Sequence, residues 1–329
     1  MEELKAGWRK VKLGDIIDFN PKETLKKNTI SKYVEMAQLQ CFARNIIGYS
    51  FKEYKGGTKF RNGDTLLARI TPCLENGKTA FVDILEEDEV GFGSTEYIVL
   101  RKKEGYTDEN YIFYLAISDL FRQIAIKSMT GTSGRQRVQT EVLKNSEIVI
   151  PEVNIQKKIA SILSLLDEKI ELNRKINQNL EEIAQALFKR WFIDFEFPNK
   201  EGKPYKSSGG KMIKSELGEI PEGWRSFSLK DIVKQIKPGT NFQPKRLDKG
   251  IPFLNIKNIV NSEIDLNDVK YISEVDYEKV HKTWKPQEKD ILISRIGTLG
   301  LVTILKKNKL PIAVHYNFLV IKAKKISSY

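Results

Sequence analysis

A short loop combines small, hydroxyl-bearing and cationic residues, which are the types that proteins use to bind phosphate groups. Residues 130–137 read Thr-Gly-Thr-Ser-Gly-Arg-Gln-Arg. The glycines let backbone N–H groups approach an anion, Thr132 and Ser133 add hydroxyl donors, and Arg135 and Arg137 add positive charge. We therefore predict that these four side chains contact the phosphates of a nucleic acid. A solvated turn of the same composition is the alternative.

Two arginines, Arg69 and Arg295, lie near the ends of similar apolar segments at 64–70 and 290–296. An arginine in such a position can bind guanine in the major groove through its two-pronged fork. It can also contact a phosphate or pair with a framework carboxylate, and the presence of the arginine in both segments favours these roles over base reading. The remaining candidates for nucleic-acid contact lie in turns and basic loops: Thr71, Lys78, Lys245, Arg246 and Thr298.

The sequence shows no pattern typical of an active site. No glycine-rich nucleotide loop follows a predicted strand, and neither a P-loop nor an Asn-Pro-Pro-aromatic tetrapeptide is present. The chain contains two cysteines and two histidines, and their spacing fits no metal site. We therefore expect a non-catalytic protein that holds no metal and no cofactor of its own.

The chain carries a formal net charge of +12, and the excess is concentrated in its second half. Residues 195–329 contain 25 basic and 15 acidic side chains. This predicts a polyanionic partner, with nucleic acid as the first candidate, although lysines that only keep a surface solvated would give the same count. Because the sequence has neither a membrane-length apolar run nor a signal-peptide core, we expect a cytoplasmic protein with no membrane partner.

The elements that must position these residues occur twice, in an imperfect internal repeat. Both copies open on Gly-Trp-Arg followed by Leu and then Asp-Ile, and two apolar segments follow in the same order. The matching pairs of segments are residues 7–17 and 223–233, 64–70 and 290–296, and 95–100 and 316–321. Because the offsets between the pairs differ, loops have been inserted or deleted between common strands. This predicts two domains of one fold with different loops.

A long helix is predicted between the two copies. Residues 155–194 contain no proline or glycine, and their apolar residues recur mostly at steps of three or four. At 1.5 Å per residue the helix would be roughly 60 Å long. Its narrow apolar stripe is typical of a helix that pairs with one other helix. The stripe residues that we expect to bind a partner are Ile159, Leu166, Ile170, Leu180 and Leu187.

Together these patterns predict an α+β protein with four parts. The first domain covers residues 1–154, and the long helix covers 155–194. A polar, glycine-containing linker at 195–222 leads to the second domain at 223–329. The short apolar segments of both domains, bounded by turn residues, are expected to form strands.

Several motifs resemble those of the specificity subunits of type I restriction-modification systems. They include Arg-Ile-Thr-Pro-Cys-Leu-Glu-Asn-Gly-Lys at 69–78 and Gly-Ser-Thr-Glu-Tyr-Ile-Val-Leu-Arg at 93–101. The helix-opening stretch 150–159 and the segment 290–300 are similar to two further motifs of that family. The resemblance extends over nearly the whole chain.

The resemblance implies a division of labour between subunits. Two target recognition domains would each read one half of a split DNA sequence, and the helix would hold them apart. Adenine methyltransferase subunits would bind the helix and use S-adenosylmethionine, and a separate restriction subunit with an ATP-driven motor would cut the DNA. S-adenosylmethionine, ATP and Mg²⁺ are therefore expected only on partner subunits.

The sequence differs from the family pattern in one respect. Members of the family normally carry a second long helix near the C-terminus, whereas this sequence stops soon after the last repeated segment. We therefore expect the second domain to be incomplete at its C-terminus. Either the gene product is truncated or rearranged, or the partner helix comes from another chain. The alternatives are a half-type subunit that self-associates through the helix, and a coiled-coil scaffold with no role on DNA.

Overall fold

The computed structural model describes residues 7–260 and 262–324. Residues 1–6 and 325–329, at the outer ends of the two predicted domains, lie outside the described residues. The chain divides into two compact units, Met1–Gln185 and Ala186–Tyr329, which we call unit 1 and unit 2.

The described residues of unit 1 form two four-stranded sheets and a two-stranded one, with four short helices that precede the long helix. The larger sheets have the strand orders β2-β9-β6-β7 and β4-β3-β8-β5, and β1 pairs with β10. Among the described strands of the unit, β3 and β8 form the one parallel pair. The elements are β1 Trp8–Lys12, α1 Leu13–Ile16, β2 Ile17–Phe19, β3 Ile30–Val34, β4 Ser50–Glu53, β5 Thr58–Phe60, β6 Thr65–Ala68, β7 Thr79–Phe81, β8 Gly91–Gly93, β9 Tyr97–Lys102, α2 Glu109–Ile117, α3 Asp119–Lys127, α4 Thr140–Asn145 and β10 Glu147–Pro151.

The sheet β2-β9-β6-β7 is buried on both faces, which explains the unbroken apolar runs of its strands. Successive side chains of a strand point to opposite faces, so neighbours enter different cores. Leu67 and Ile98 pack with the helices α1–α4 in one core. Leu66 and Val99 pack in the other core, together with Val34 and Phe60 of the second sheet.

Unit 2 repeats this arrangement. Its main sheet has the order β13-β21-β18-β19, and its second sheet has the order β17-β14-β20, with β14 and β20 parallel. The elements are β11 Met212–Ser215, β12 Gly218–Pro221, α6 Leu229–Ile232, β13 Val233–Pro238, β14 Ile251–Leu254, β15 Ile259–Val260, β16 Glu263–Ile264, β17 Lys270–Ile272, α7 Glu274–Val280, β18 Ile291–Ser294, β19 Val302–Ile304, β20 Ala313–Val314 and β21 Phe318–Ala323. In this numbering the long helix, Val153–Phe188, is α5.

The two main sheets correspond strand by strand, which confirms the repeat at the level of the fold. Ile17 pairs with Lys102 where β2 meets β9, and Val233 pairs with Ala323 where β13 meets β21. A short 3-10 turn with a reciprocal side-chain cap follows both β3 and β14. The two matching segments that centre on β6 and β18 therefore occupy the same place in the two units.

A buried carboxylate begins the central strand of each main sheet. Asp64 accepts hydrogen bonds from Arg101 Nε at 2.6 Å and Nη2 at 2.7 Å. Asp290 accepts one from Lys322 Nζ at 2.8 Å. Arg101 lies on β9 and Lys322 lies on β21, so an ion pair links the start of the central strand to the equivalent neighbouring strand in each copy.

Helix α5 spans 36 residues, Val153–Phe188, and a π-helical segment, Lys189–Ile193, follows it. Its length is therefore ~54 Å before that segment. The helix begins two residues before the predicted start at 155, and its first turn forms when the N–H groups of Ile155 and Gln156 bond to the carbonyl of Glu152. Ile159 and Ala160 pack against the core of unit 1.

Residues 195–222, predicted as a linker, contain ordered structure. The strands β11 and β12 form an antiparallel hairpin. Phe197 stacks on Tyr205 at 4.7 Å and on Trp224 at 5.4 Å between ring centroids. The polar and glycine-rich composition of this segment concealed the aromatic residues that give it a small core of its own.

Candidate nucleic-acid interface

The loop at residues 130–137 is closed at its base and open at its tip. Thr130 and Arg137 exchange backbone hydrogen bonds of 3.0 and 2.8 Å. At the tip, Arg135 N–H donates to the carbonyl of Thr132 at 3.0 Å, and the φ values of Gly131 and Gly134 are 124° and 78°. Thr132, Ser133 and Arg135 are exposed. Three of the four predicted side chains are therefore available to a ligand.

Arg137, the fourth predicted side chain of this loop, is paired within the protein. Its Nη2 lies 2.8 Å from Glu96 Oε1, and its Nε lies 3.0 Å from both carboxylate oxygens. The hydrogen bond from Arg137 is the main cause that lowers the pKa of the Glu96 carboxyl. Glu96 thus balances the charge of Arg137, and the pair ties the base of the loop to the segment before β9. The contact of Arg137 with DNA stays a prediction.

The predicted turn at 69–78 lies beside this loop. Thr71 N–H donates to the carbonyl of Gln136 at 3.0 Å, so the two segments are joined through their backbones. The Thr71 hydroxyl donates to Glu75 Oε1 at 2.7 Å, and Lys78 Nζ donates to the carbonyl of Met36 at 2.7 Å. The Thr71 hydroxyl is thus bonded within the turn, and Lys78 bonds the turn to the segment that contains Met36.

Arg69 is half-buried and lines a cleft of about 580 Å³. Its Nη2 lies 3.4 Å from the carbonyl of Val138, and its buried Nε has no partner among the described residues. Lys22 and Lys59 also line the cleft, and sequence reasoning did not select either residue. No local motif marks them, because they come from two segments that lie far from Arg69 in the sequence and meet it only in the folded chain.

Residues 295–300 of unit 2 correspond to the start of the turn at 69–78 in unit 1, and they are more exposed. Arg295 N–H donates to the carbonyl of Asn317 at 2.8 Å, as Arg69 N–H donates to the carbonyl of Glu96 at 2.9 Å. Residues 295–300 are all exposed, including Thr298, whose carbonyl accepts from the Ser294 hydroxyl at 2.6 Å. The Arg295 guanidinium makes no hydrogen bond or ion pair within the described part of the chain.

The two basic candidates in the loop after β13 differ from each other. Lys245 is exposed. Arg246 lies over the ring of Phe253, with its guanidinium carbon 4.2 Å from the ring centroid, and partial burial lowers its pKa. An arginine remains charged after such a shift, but the stacking fixes its position at the start of the second sheet.

The predicted stripe of α5 is exposed except at its first member. Leu166, Ile170, Leu180 and Leu187 are 58%, 50%, 58% and 40% exposed. Ile159 instead packs against the core of unit 1, because the first turns of the helix lie against that core. The exposed apolar surface is also wider than the five predicted residues, and it includes Ile162, Leu165, Leu172, Ile176 and Ile183.

The described residues contain neither a cluster of metal ligands nor a helix of membrane-spanning character. No group of three or more histidine, cysteine, aspartate or glutamate side chains in residues 7–260 and 262–324 could hold a metal ion. No helix in the same ranges is long and apolar enough to cross a membrane.

Comparison with known proteins places these features in a family. The family model described as "Type I restriction modification DNA specificity domain" matches residues 5–182 and 221–329, which contain the two copies of the repeat. The HindI specificity subunit of Haemophilus influenzae is 27% identical over 366 aligned positions, which cover 92% of this chain and 77% of that protein. The MjaIX specificity subunit of Methanocaldococcus jannaschii is 34% identical over 200 positions, which cover 59% of this chain and 43% of that protein.

Among solved structures, the S subunit of a type I restriction-modification system from M. genitalium aligns with 99% of this chain and 75% of that one. The alignment has 17% identity and a TM-score of 0.47. The family model, which matches most of the chain in two segments, is the finding that decides the assignment. The chain belongs to the family of type I restriction-modification DNA specificity domains.

Proposed function

We propose that this chain is the non-catalytic subunit that recognises DNA in a type I restriction-modification complex. It directs adenine methylation and restriction to a target with two separate half-sites. The observation that carries the proposal is the duplicated framework with different loops: β2-β9-β6-β7 in unit 1 and β13-β21-β18-β19 in unit 2. One scaffold that presents two different loop sets is suited to reading two different short sequences.

The exposed cations on the loops support DNA as the ligand. Arg135 in unit 1, and Lys245 and Arg295 in unit 2, are exposed at loop positions. Contacts between such side chains and phosphates position a protein on the duplex without reading its sequence. We propose this role for these three residues, and we assign base reading to the loops in which the two copies differ, at 20–62 and 238–285.

The exposed apolar face of α5 supports the binding of partner subunits. A helix face with this many exposed leucine and isoleucine side chains marks a surface that another protein covers. We propose that adenine methyltransferase subunits dock there, and that the restriction subunit joins the assembled complex. S-adenosylmethionine, ATP and Mg²⁺ then belong to those partners.

Methyl transfer in vitro tests this assignment. The chain, its methyltransferase partner and the two together are incubated with DNA and labelled S-adenosylmethionine. We expect transfer to DNA only when both proteins are present, because one recognises the target and the other carries the chemistry. Transfer by the chain alone would overturn the non-catalytic assignment, and equal transfer by the partner alone would overturn the directing role.

A further inference from the structure

The beginning of α5 is fixed to unit 1 by a buried glutamine. Gln156 is 0% exposed. Its Nε2 donates to the carbonyls of Pro151 at 2.8 Å and Tyr106 at 3.2 Å, and its Oε1 accepts from the N–H of Asp108 at 3.1 Å. A buried side-chain amide with three partners resists displacement, because any shift leaves polar groups unpaired. Together with Ile159 and Ala160, which pack against the core of unit 1, this contact fixes the first turns of the helix.

A second contact lies further along the same face of the helix. The hydroxyl of Tyr114, on α2, donates to Asp167 Oδ2 at 2.6 Å and lies 3.3 Å from Ser164 Oγ. Burial, and then the hydrogen bond to Asp167, raises the pKa of this hydroxyl to about 12, so it stays a proton donor. Arg44 also contacts α2, because its Nη2 donates to Asn110 Oδ1 at 2.6 Å.

A helix that is held only at its start can swing about that end, whereas a second contact further along fixes its direction. Gln156 and Asp167 are eleven residues apart, which is about three turns or roughly 16 Å, so they lie on one face. From Gln156 to Gln185, at the end of unit 1, the helix extends roughly 44 Å. A lateral displacement of the helix at Asp167 therefore becomes roughly 2.6 times larger at Gln185. A displacement of about 1.3 Å at Asp167 would move Gln185 by about 3.4 Å, the rise of one base pair.

We propose that Tyr114, through its contact with Asp167, sets the direction in which α5 leaves unit 1 and thereby the spacing between the two half-sites. The statement about spacing rests on the proposed function. The statement about direction does not, because it concerns contacts within unit 1 alone. Tyr114 is in this sense a positioning residue, since it acts on DNA only through the helix.

A distance measurement on the full chain tests the direction. Spin labels are placed at Leu120 on α3 and Asn179 on α5, both exposed, in a background in which Cys41 and Cys73 are replaced by serine. We expect Tyr114→Phe to broaden the distance distribution, because the ring remains and the anchor is lost. The matched control is Tyr111→Phe on the same helix, whose hydroxyl makes no hydrogen bond among the described residues, and it should leave the distribution unchanged.

A methylation assay then tests the spacing. DNA substrates carry the two half-sites at the native spacing or at a spacing changed by one base pair. We expect Tyr114→Phe to reduce the preference for the native spacing by roughly fivefold, the effect of one hydrogen bond, and Tyr111→Phe to preserve it.

The outcomes separate the two statements. An unchanged distance distribution in Tyr114→Phe overturns the anchor itself. A broadened distribution with an unchanged spacing preference overturns the role in spacing. If the wild-type complex methylates no split target, the proposed function fails, and with it the role in spacing, while the distance measurement still decides whether Tyr114 fixes the helix.

Discussion

Units 1 and 2 share their main sheet, but they use the same positions of that sheet differently. In unit 1, Glu96 follows the β8 strand and pairs with Arg137. In unit 2, the corresponding residue is Asn317, and Arg295 beside it has no carboxylate partner among the described residues. The shared arginine position is therefore half-buried in a cleft in one unit and open to solvent in the other. The strands preserve the framework, and the charge at their ends determines which side chains remain free for a ligand.

The largest expected effect is the loss of stability when the carboxylate of a buried ion pair is removed, and this loss should differ between the two units. Asp64→Ala should lower the local stability of unit 1 by about 3–5 kcal/mol, because it removes two charge-assisted hydrogen bonds from Arg101, which keeps Glu23 as its one remaining carboxylate partner. Asp290→Ala should lower that of unit 2 by about 1–3 kcal/mol, because Lys322 makes one bond to it and keeps Gln287 as an acceptor. Hydrogen exchange of the β6 and β18 amides measures both. Equal losses, or a larger loss in unit 2, would contradict this ranking.

Acid should destabilise unit 2 before unit 1. Both histidines of the chain lie in unit 2. His281 is 1% exposed, between the rings of Tyr277 and Trp284, and burial lowers its pKa to about 4.

In the unfolded chain the His281 imidazole binds its proton near pH 6.5. Above that pH the imidazole is neutral in both states, so its burial does not reduce the free energy of unfolding. The free energy of unfolding falls as the pH drops towards 4, by on the order of 3 kcal/mol at the limit. Hydrogen exchange at pH 7 and pH 5 should show the loss in α7 and its neighbours. His281→Leu should remove the part of the pH dependence that His281 contributes and leave that of His315, whose pKa burial also lowers. Earlier loss of protection in unit 1 would contradict the prediction.

Removing an exposed arginine should weaken DNA binding without changing its sequence preference. Arg135→Ala should lower the affinity for all sequences alike and reduce the slope of log affinity against log salt by about 1. Fluorescence anisotropy over a series of salt concentrations measures this slope. A loss confined to one base position would instead show that Arg135 reads sequence.

The smallest expected effect comes from making unit 1 more like unit 2. Glu96→Gln removes the carboxylate that pairs with Arg137 and leaves an amide, as at Asn317. If the loop at 130–137 lies against DNA, the released cation should strengthen binding and steepen the salt slope by up to about 1. Glu141→Gln, on the exposed side of α4, serves as the matched control for the change in net charge. Equal effects of the two substitutions would argue against a special role of the Glu96–Arg137 pair.

The sequence predicted the framework well because its signals are local. The apolar segments around Leu66 and Val99 give strands whose two faces are both buried, and the absence of proline and glycine after Pro151 gives α5. The repeat predicted that the two domains share one fold, and the matching strand orders of the two main sheets agree with this. The two-domain α+β prediction and the family resemblance are both confirmed.

The candidate site was less predictable because its pairings are long-range. Glu96 and Arg137 are 41 positions apart, and no local pattern links them. The burial of Ile159 likewise depends on the helices of unit 1, which lie beside the first turns of α5 only in the folded chain. Composition identified the residue types that can contact phosphate, and the fold determined which of them are already engaged.

Modified-base sequencing tests the central claim, that each unit reads one half of a DNA target. Host DNA is sequenced after co-expression of this chain with its adenine methyltransferase partner. We expect methylated adenines in a split motif whose two halves differ, because the two units present different loops. A palindromic motif would contradict it, since that result would mean that two copies of the chain associate and only one unit reads DNA.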